Sequence, residues 1–122
     1  MATDIQVKME QGIVRVVYRG KPQFHLTTEM MREVGRVASE NRSTMLLFDV
    51  REAEDSEYHV SAIKHTELAP ALGINQSYRT ALLGRKGDPR LPYIEDVAVN
   101  RGFRLKVFTD EAEAVAWLRA AL

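Results

Sequence analysis

The chain has 122 residues, and its 17 lysine and arginine residues balance its 17 aspartate and glutamate residues, so its formal net charge is zero. Neither nucleic acid nor anionic lipid is an expected partner, because a neutral chain exerts no long-range attraction on them. The chain contains no cysteine, which excludes disulfides, a thiolate nucleophile and sulfur-ligated zinc. Its length suits one domain, residues 1–122, with a single hydrophobic core.

The N-terminal segment MATDIQVKME has no apolar signal core, and no apolar run reaches the length that crosses a membrane. We therefore expect no transmembrane segment and a cytoplasmic protein.

The first third of the chain predicts a hairpin and a helix. Apolar residues alternate with polar ones over residues 5–9, and Gln11-Gly12 then precedes the apolar segment 13–18, which is typical of two strands joined by a tight turn. Thr27 or Thr28 is expected to cap a helix. The side of that helix predicted to face the core carries Met30, Met31, Val34, Val37 and Ala38.

The middle of the chain predicts a central strand and a second helix. Residues 45–50, MLLFDV, are apolar on both faces except for Asp49, which is the pattern of a strand covered on both sides. A helix is predicted from Ser56 to about Ala69, where Pro70 and then Gly73 end it.

The last third repeats the alternation of strand and helix. Residues 79–83 predict a strand, Pro92 lies in the first turn of a helix that Gly102 ends, residues 103–107 predict the last strand, and Thr109 is expected to cap the final helix. The predicted order is ββαβαβαβα. We expect an α/β fold with four helices and a mixed, mostly parallel five-stranded sheet, in which the first hairpin is the antiparallel part.

Loops at the carboxyl ends of parallel strands are where such folds bind ligands and partners. Three loops qualify, residues 50–55, 84–90 and 108–110. The loop GRKGDPR carries Arg85, Lys86 and Arg90 ahead of a helix, and these cations with the helix amides could hold a phosphate or carboxylate. The alternative is a solvated turn shaped by its glycines, aspartate and proline.

The histidines do not predict a metal site. His59 and His65 lie six residues apart in the predicted helix and so face different sides, and His25 precedes the first helix. We expect all three to be exposed. Ser56 and His59 are close enough for a base to activate the serine, but no third group or oxyanion hole accompanies them, so no catalytic residue is predicted.

Asp49, at the end of the central strand, has the position of a phosphoacceptor in a receiver domain. The acidic pair that such a domain carries after its first strand is absent here, since that strand opens into a hairpin. We instead expect Asp49 to bond loop amides or Arg51.

The strand order, the segment LLFDVRE (46–52) and the segment KVFTDEAEAVAWL (106–118) resemble the SpoIIAA-like group of bacterial proteins. That group is related in fold to the STAS domains of anti-sigma factor antagonists, and it also resembles the CRAL-TRIO lipid-binding fold. The resemblance implies a regulatory or protein-interaction module without a cofactor. It also implies that a protein partner binds after the central strand, at Asp49, Arg51, Asp55, Ser56 and Tyr58.

In the antagonists the helix after the central strand begins with Asp-Ser-Ser-Gly, whose serine is phosphorylated. The matching positions here are Asp55, Ser56, Glu57 and Tyr58, so a glutamate stands where the phosphoserine would be. Ser56 is therefore interpreted first as a helix cap and second as a phosphosite.

Two further hypotheses concern apolar surfaces. The CRAL-TRIO likeness permits an alternative function, the binding of a small apolar molecule or lipid in a cleft beneath Tyr58, Val60 and Leu91. The final helix is apolar nearly all round, which favours either a homodimer or dense packing within its own domain.

Overall fold

The computed structural model of the protein describes residues 3–54 and 64–120. Five strands form one sheet in the order of the chain: β1 (Asp4–Glu10), β2 (Ile13–Gly20), β3 (Met45–Ala53), β4 (Arg79–Leu83) and β5 (Arg104–Phe108). The α-helices described are α1 (Phe24–Glu40), α2 (residues 64–68), α3 (Arg90–Asn100) and α4 (Glu111–Arg119), and a 3-10 helix (Ala69–Leu72) directly follows α2.

Strands β1 and β2 pair antiparallel, and every later neighbouring pair is parallel. The hairpin turns at Gln11 and Gly12, whose φ angles of 50° and 84° are both positive, as the tight turn between twisted antiparallel strands requires. The predicted α/β fold, with its mixed sheet and antiparallel first hairpin, is confirmed.

The two faces of the sheet bury separate apolar clusters, because successive side chains of a strand point to opposite faces. Leu46 packs with buried residues of α1 and α3, such as Val34 and Ile94. Its neighbour Leu47 packs on the other face with Ala114 and Leu118 of α4. Helix α4 therefore defines a second, smaller layer of the fold.

Strand β3 is longer than the sequence predicted. It continues to Ala53, because Arg19 and Gly20 of β2 still pair with Glu52 and Ala53 after a shift in register. The amide of Glu54 then donates to the carbonyl of Gly20 at 2.8 Å. The loop expected at residues 50–55 was therefore placed too early.

Helix α1 does not begin at a threonine cap. It begins at Phe24 after Gln23, which makes no side-chain cap bond, so His25 lies inside the helix rather than before it. The Thr27 hydroxyl instead lies 2.8 Å from the buried Tyr18 hydroxyl, and the Thr28 hydroxyl donates to the carbonyl of Phe24 at 2.9 Å. Both threonines therefore lie inside the helix, where the Thr27 hydroxyl contacts Tyr18 of β2 and the Thr28 hydroxyl contacts the first helical residue.

Helix α4 is capped by Asp110 and not by Thr109. The Asp110 Oδ1 atom accepts a hydrogen bond from the amide of Ala112 at 3.1 Å. Aspartate and threonine both cap helices, and the sequence does not show which residue has the extended backbone that a cap needs.

The prediction that His65 is exposed is wrong. Only 3% of this residue is exposed, since its ring lies 4.5 Å from that of Phe24 and its Nε2 atom lies 2.9 Å from the Thr28 hydroxyl. These contacts of His65 connect α2 to α1.

The second helix was predicted from Ser56 to about Ala69. Its beginning, which includes His59, lies outside the described residues. Its end is confirmed, since Gly73, with a φ angle of 97°, follows the 3-10 helix. Within the ranges that the structure describes, none of the helices is both long and apolar enough for a membrane span.

Candidate functional site

The candidate site lies at the carboxyl end of β3, on the face of the sheet that α4 covers. Asp49 and Arg51 are two residues apart in β3, so both side chains point to this face. Arg51 donates from Nε to Oδ1 of Asp49 at 3.0 Å and from Nη2 to Oδ2 at 2.8 Å. Its backbone amide also donates to Oδ1, at 3.2 Å. The expected bond between Asp49 and Arg51 is confirmed, in two-pronged geometry.

Two residues that the sequence did not single out complete the cluster. Arg15, the third residue of β2, donates from Nη2 to Oε1 of Glu111 at 2.8 Å, and the same Nη2 atom lies 3.7 Å from Oδ2 of Asp49. Arg51 also reaches Glu111, from Nη2 at 3.2 Å. Two arginines and two carboxylates therefore form a neutral network that joins β2, β3 and the first residue of α4.

Burial differs across this network. The side chains of Asp49 and Arg15 are 9% and 14% exposed, whereas those of Arg51 and Glu111 are 40% and 42% exposed. Buried charges persist only when they are paired and hydrogen-bonded, which is the arrangement seen here. The inner pair therefore anchors the network, and Arg51 is the cation that it presents to the surroundings.

The pKa values of both carboxyl groups reflect these contacts. Burial raises the pKa of Asp49, but the hydrogen bonds from the side chain and amide of Arg51 and the charges of Arg51 and Arg15 outweigh it, so the pKa is lowered. The hydrogen bond from Arg15 lowers the pKa of Glu111 against a smaller opposing effect of burial. Both groups are ionised at neutral pH.

The guanidinium of Arg51 is held from one side. Its Nε and Nη2 atoms donate to Asp49 and Glu111, while Nη1 makes no hydrogen bond within residues 3–54 and 64–120. Arginine carries five N–H donors in a rigid fork, so this 40% exposed side chain has donors that no described residue uses. A ligand or partner would meet an arginine whose orientation is already fixed.

The other predicted partner-binding residues, Asp55, Ser56 and Tyr58, lie outside the described residues, as do the proposed cap and phosphosite at Ser56. Glu54, the last residue described before them, hydrogen-bonds Gly20 at the end of β2. Glu54 itself follows Ala53, the last residue of β3, so the segment that contains the three residues begins two residues after the strand ends.

The predicted anion site lies in the loop between β4 and α3. Arg90 donates from Nε and Nη2 to the two carboxylate oxygens of Asp88 at 2.9 and 2.8 Å, and the Asp88 pKa is lowered chiefly by this hydrogen bonding. Arg85 and Lys86 are exposed. An external anion would compete with Asp88 for Arg90, and the anion site at these three cations stays a prediction.

A cavity of about 100 Å³ lies on the other face of the sheet, among side chains of α1, α3 and strands β2 to β5. Leu91, which the sequence placed over an apolar cleft, does not line it and packs instead against Gly84, where a Cβ atom would come within 2.6 Å of it. Tyr58 and Val60 lie outside the described residues. Among the residues described, no group of three or more histidine, aspartate or glutamate side chains is arranged to hold a metal ion.

Solved structures share this fold over nearly its whole length. An anti-sigma factor antagonist from Mycobacterium paratuberculosis superimposes with a TM-score of 0.65 at 16% identity, covering 98% of this chain and 96% of that one. An uncharacterised protein with a SpoIIAA-like fold from Shewanella loihica gives 0.60 at 19% identity, covering 95% and 93%. The anti-sigma factor antagonist SpoIIAA in its unphosphorylated form gives 0.58 at 18% identity, covering 97% and 100%.

No protein-family model matches the chain, and no curated protein matches it significantly. The resemblance to SpoIIAA-like and STAS proteins is confirmed at the level of the fold. At these identities a shared fold does not carry a shared activity.

Proposed function

We propose that this protein is a non-catalytic regulatory module that binds a protein partner through the end of β3 and the segment that follows it. The proposed surface consists of Asp49, Arg51, Asp55, Ser56 and Tyr58, in which the buried Asp49 acts by orienting Arg51. The observation that carries the proposal is the orientation of Arg51, which Asp49 and Glu111 hold while its side chain stays 40% exposed.

Arginine is a frequent hot-spot residue at protein interfaces, and one that is already ordered loses little side-chain entropy on binding. Two of the structural neighbours are anti-sigma factor antagonists, which supports a partner of the anti-sigma factor kind.

Affinity capture from a native lysate with quantitative mass spectrometry tests this proposal. We expect Arg51→Ala to reduce recovery of the specific partner by about tenfold, as for the loss of an arginine hot spot. Arg36→Ala is the matched control, because Arg36 forms exposed ion pairs with Glu33 and Glu40 on α1, away from β3. Equal recovery with Arg51→Ala and the wild type would refute the proposed surface.

A further inference from the structure

The cavity beneath α1 and α3 is mainly apolar. Its wall includes Met30, Phe48, Val50, Ile74, Leu82 and Ile94. Protein interiors are normally packed without voids of this size, and apolar cavities of about 150 Å³ stay dry and bind benzene. At about 100 Å³, this cavity has room for a molecule close to the size of one ring.

One polar side chain on the cavity wall, that of Thr80, differs from the others. Thr80 of β4 is 8% exposed, and among the residues that the structure describes its hydroxyl has no hydrogen-bond partner. Buried hydroxyl groups are normally paired, because an unpaired one loses its bonds to water without replacement. A buried, unpaired hydroxyl on a residue that lines a cavity is therefore a feature that a ligand would explain.

The other polar side chains on the wall already have partners. The Tyr18 hydroxyl bonds Thr27 at 2.8 Å and accepts the amide of Gln23 at 3.2 Å. His65 bonds Thr28 at 2.9 Å, and Thr66 also has a partner. A buried water needs two to four polar partners, so a single free hydroxyl is a poor water site.

We propose that the cavity binds a small, mostly apolar molecule of about one ring, whose single polar oxygen hydrogen-bonds the Thr80 hydroxyl. The apolar wall would hold the ring by burial, and Thr80 would select for the oxygen. This site lies on the opposite face of the sheet from Asp49 and Arg51, so it is independent of the proposed partner surface.

A matched pair of probes tests the site. The compounds 4-fluorophenol and 4-fluorotoluene differ only by a hydroxyl in place of a methyl group, and fluorine NMR measures their binding to the purified protein. We expect the wild type to prefer the phenol by roughly five- to tenfold, the effect of one hydrogen bond. Thr80→Val keeps the shape of the side chain and should remove the preference. Thr109→Val, which changes an exposed hydroxyl away from the cavity, should retain it.

A second variant tests the location. Ala98 of α3 is fully buried on the cavity wall, so Ala98→Met should fill the space and weaken both probes at least tenfold. If that variant does not fold, the methyl resonances of Leu82 and Ile94 in the wild type locate the probe, since both side chains line the cavity. The proposal is overturned if the wild type shows no saturable binding, if Thr80→Val keeps the preference, or if those methyl resonances do not move.

Discussion

Arg15 of β2 and Glu111 of α4 are 96 residues apart in the chain, yet Nη2 of Arg15 lies 2.8 Å from Oε1 of Glu111. Glu111 also opens a helix, where a carboxylate interacts favourably with the exposed amides and the helix dipole. The contact fixes the start of α4 on the sheet. It places this end of the helix beside Asp49 and Arg51, so the stability of the fold and the geometry of the candidate site depend on the same charges.

We expect Asp49→Asn to lower the free energy of unfolding by about 1–3 kcal/mol, because Arg51 loses a charged acceptor and Arg15 loses a neighbouring charge. Urea unfolding at neutral pH measures this change. Asp96→Asn on the exposed side of α3 is the control and should stay within about 0.5 kcal/mol of the wild type. Equal losses in the two variants would show that the Asp49 network does not stabilise the fold.

Because of the same network, we expect acid to lower the stability of the fold. The pKa values of Asp49 and Glu111 are lowered from 3.8 and 4.5, so in acid the unfolded state binds more protons than the folded state. Their contribution is complete above the unfolded-state pKa values and is lost as the pH falls through the lower folded-state values. We expect unfolding midpoints to fall more steeply below about pH 4 in the wild type than in Asp49→Asn. Parallel slopes for the two proteins would contradict this.

Gly35 lies where α1 approaches the 3-10 helix. A Cβ atom there would come within 2.8 Å of the carbonyl oxygen of Leu72 and 3.0 Å of Gly73 backbone atoms. We expect Gly35→Ala to destabilise the protein by about 1–3 kcal/mol, although alanine is the better helix former, because backbone atoms must shift. Ser39→Ala on the exposed side of α1 is the control. A Gly35→Ala variant with a raised melting temperature would show that the two segments separate easily.

Two variants of Ser56 test whether this residue is a helix cap or a phosphorylation switch. If it is a cap, Ser56→Ala should lose about 1 kcal/mol and Ser56→Asp should be nearly neutral, since aspartate caps well. If it is a switch, Ser56→Asp should change partner capture while the melting temperature stays constant. We expect the first pattern. An alanine variant that melts like the wild type would count against the cap.

The homodimer expected from the final helix stays a prediction. The structure buries Ala114 and Leu118 against the sheet and leaves Ala112 and Ala116 exposed. If this exposed side meets a second subunit, the wild type should sediment as a dimer at high micromolar concentration and Ala116→Glu as a monomer, because the interface would then bury an unpaired charge. A wild type that sediments as a monomer would reject the hypothesis.

The sequence by itself determined the order of the elements, the mixed sheet and most of the core. These follow from local patterns, such as the alternation in β1, the apolar run of β3 and the glycine that ends a helix, and each pattern is readable within a few residues. Asp49 and Arg51 were predictable as a pair for the same reason, since a strand places residues two apart on one face.

Only the tertiary structure decided which polar groups meet across the chain. Arg15 and Glu111 join the Asp49 network because parallel pairing aligns β2 with β3 and because α4 begins beside them. The sequence contained one signal for this network, which was the position of Arg15 inside the apolar segment 13–18. A cation at that position indicates a buried partner. His65 became buried and Thr27 left its expected cap position because side chains on other elements, Phe24 and Tyr18, offered closer contacts. The free energy of such contacts depends on distance and burial, which a local pattern does not contain.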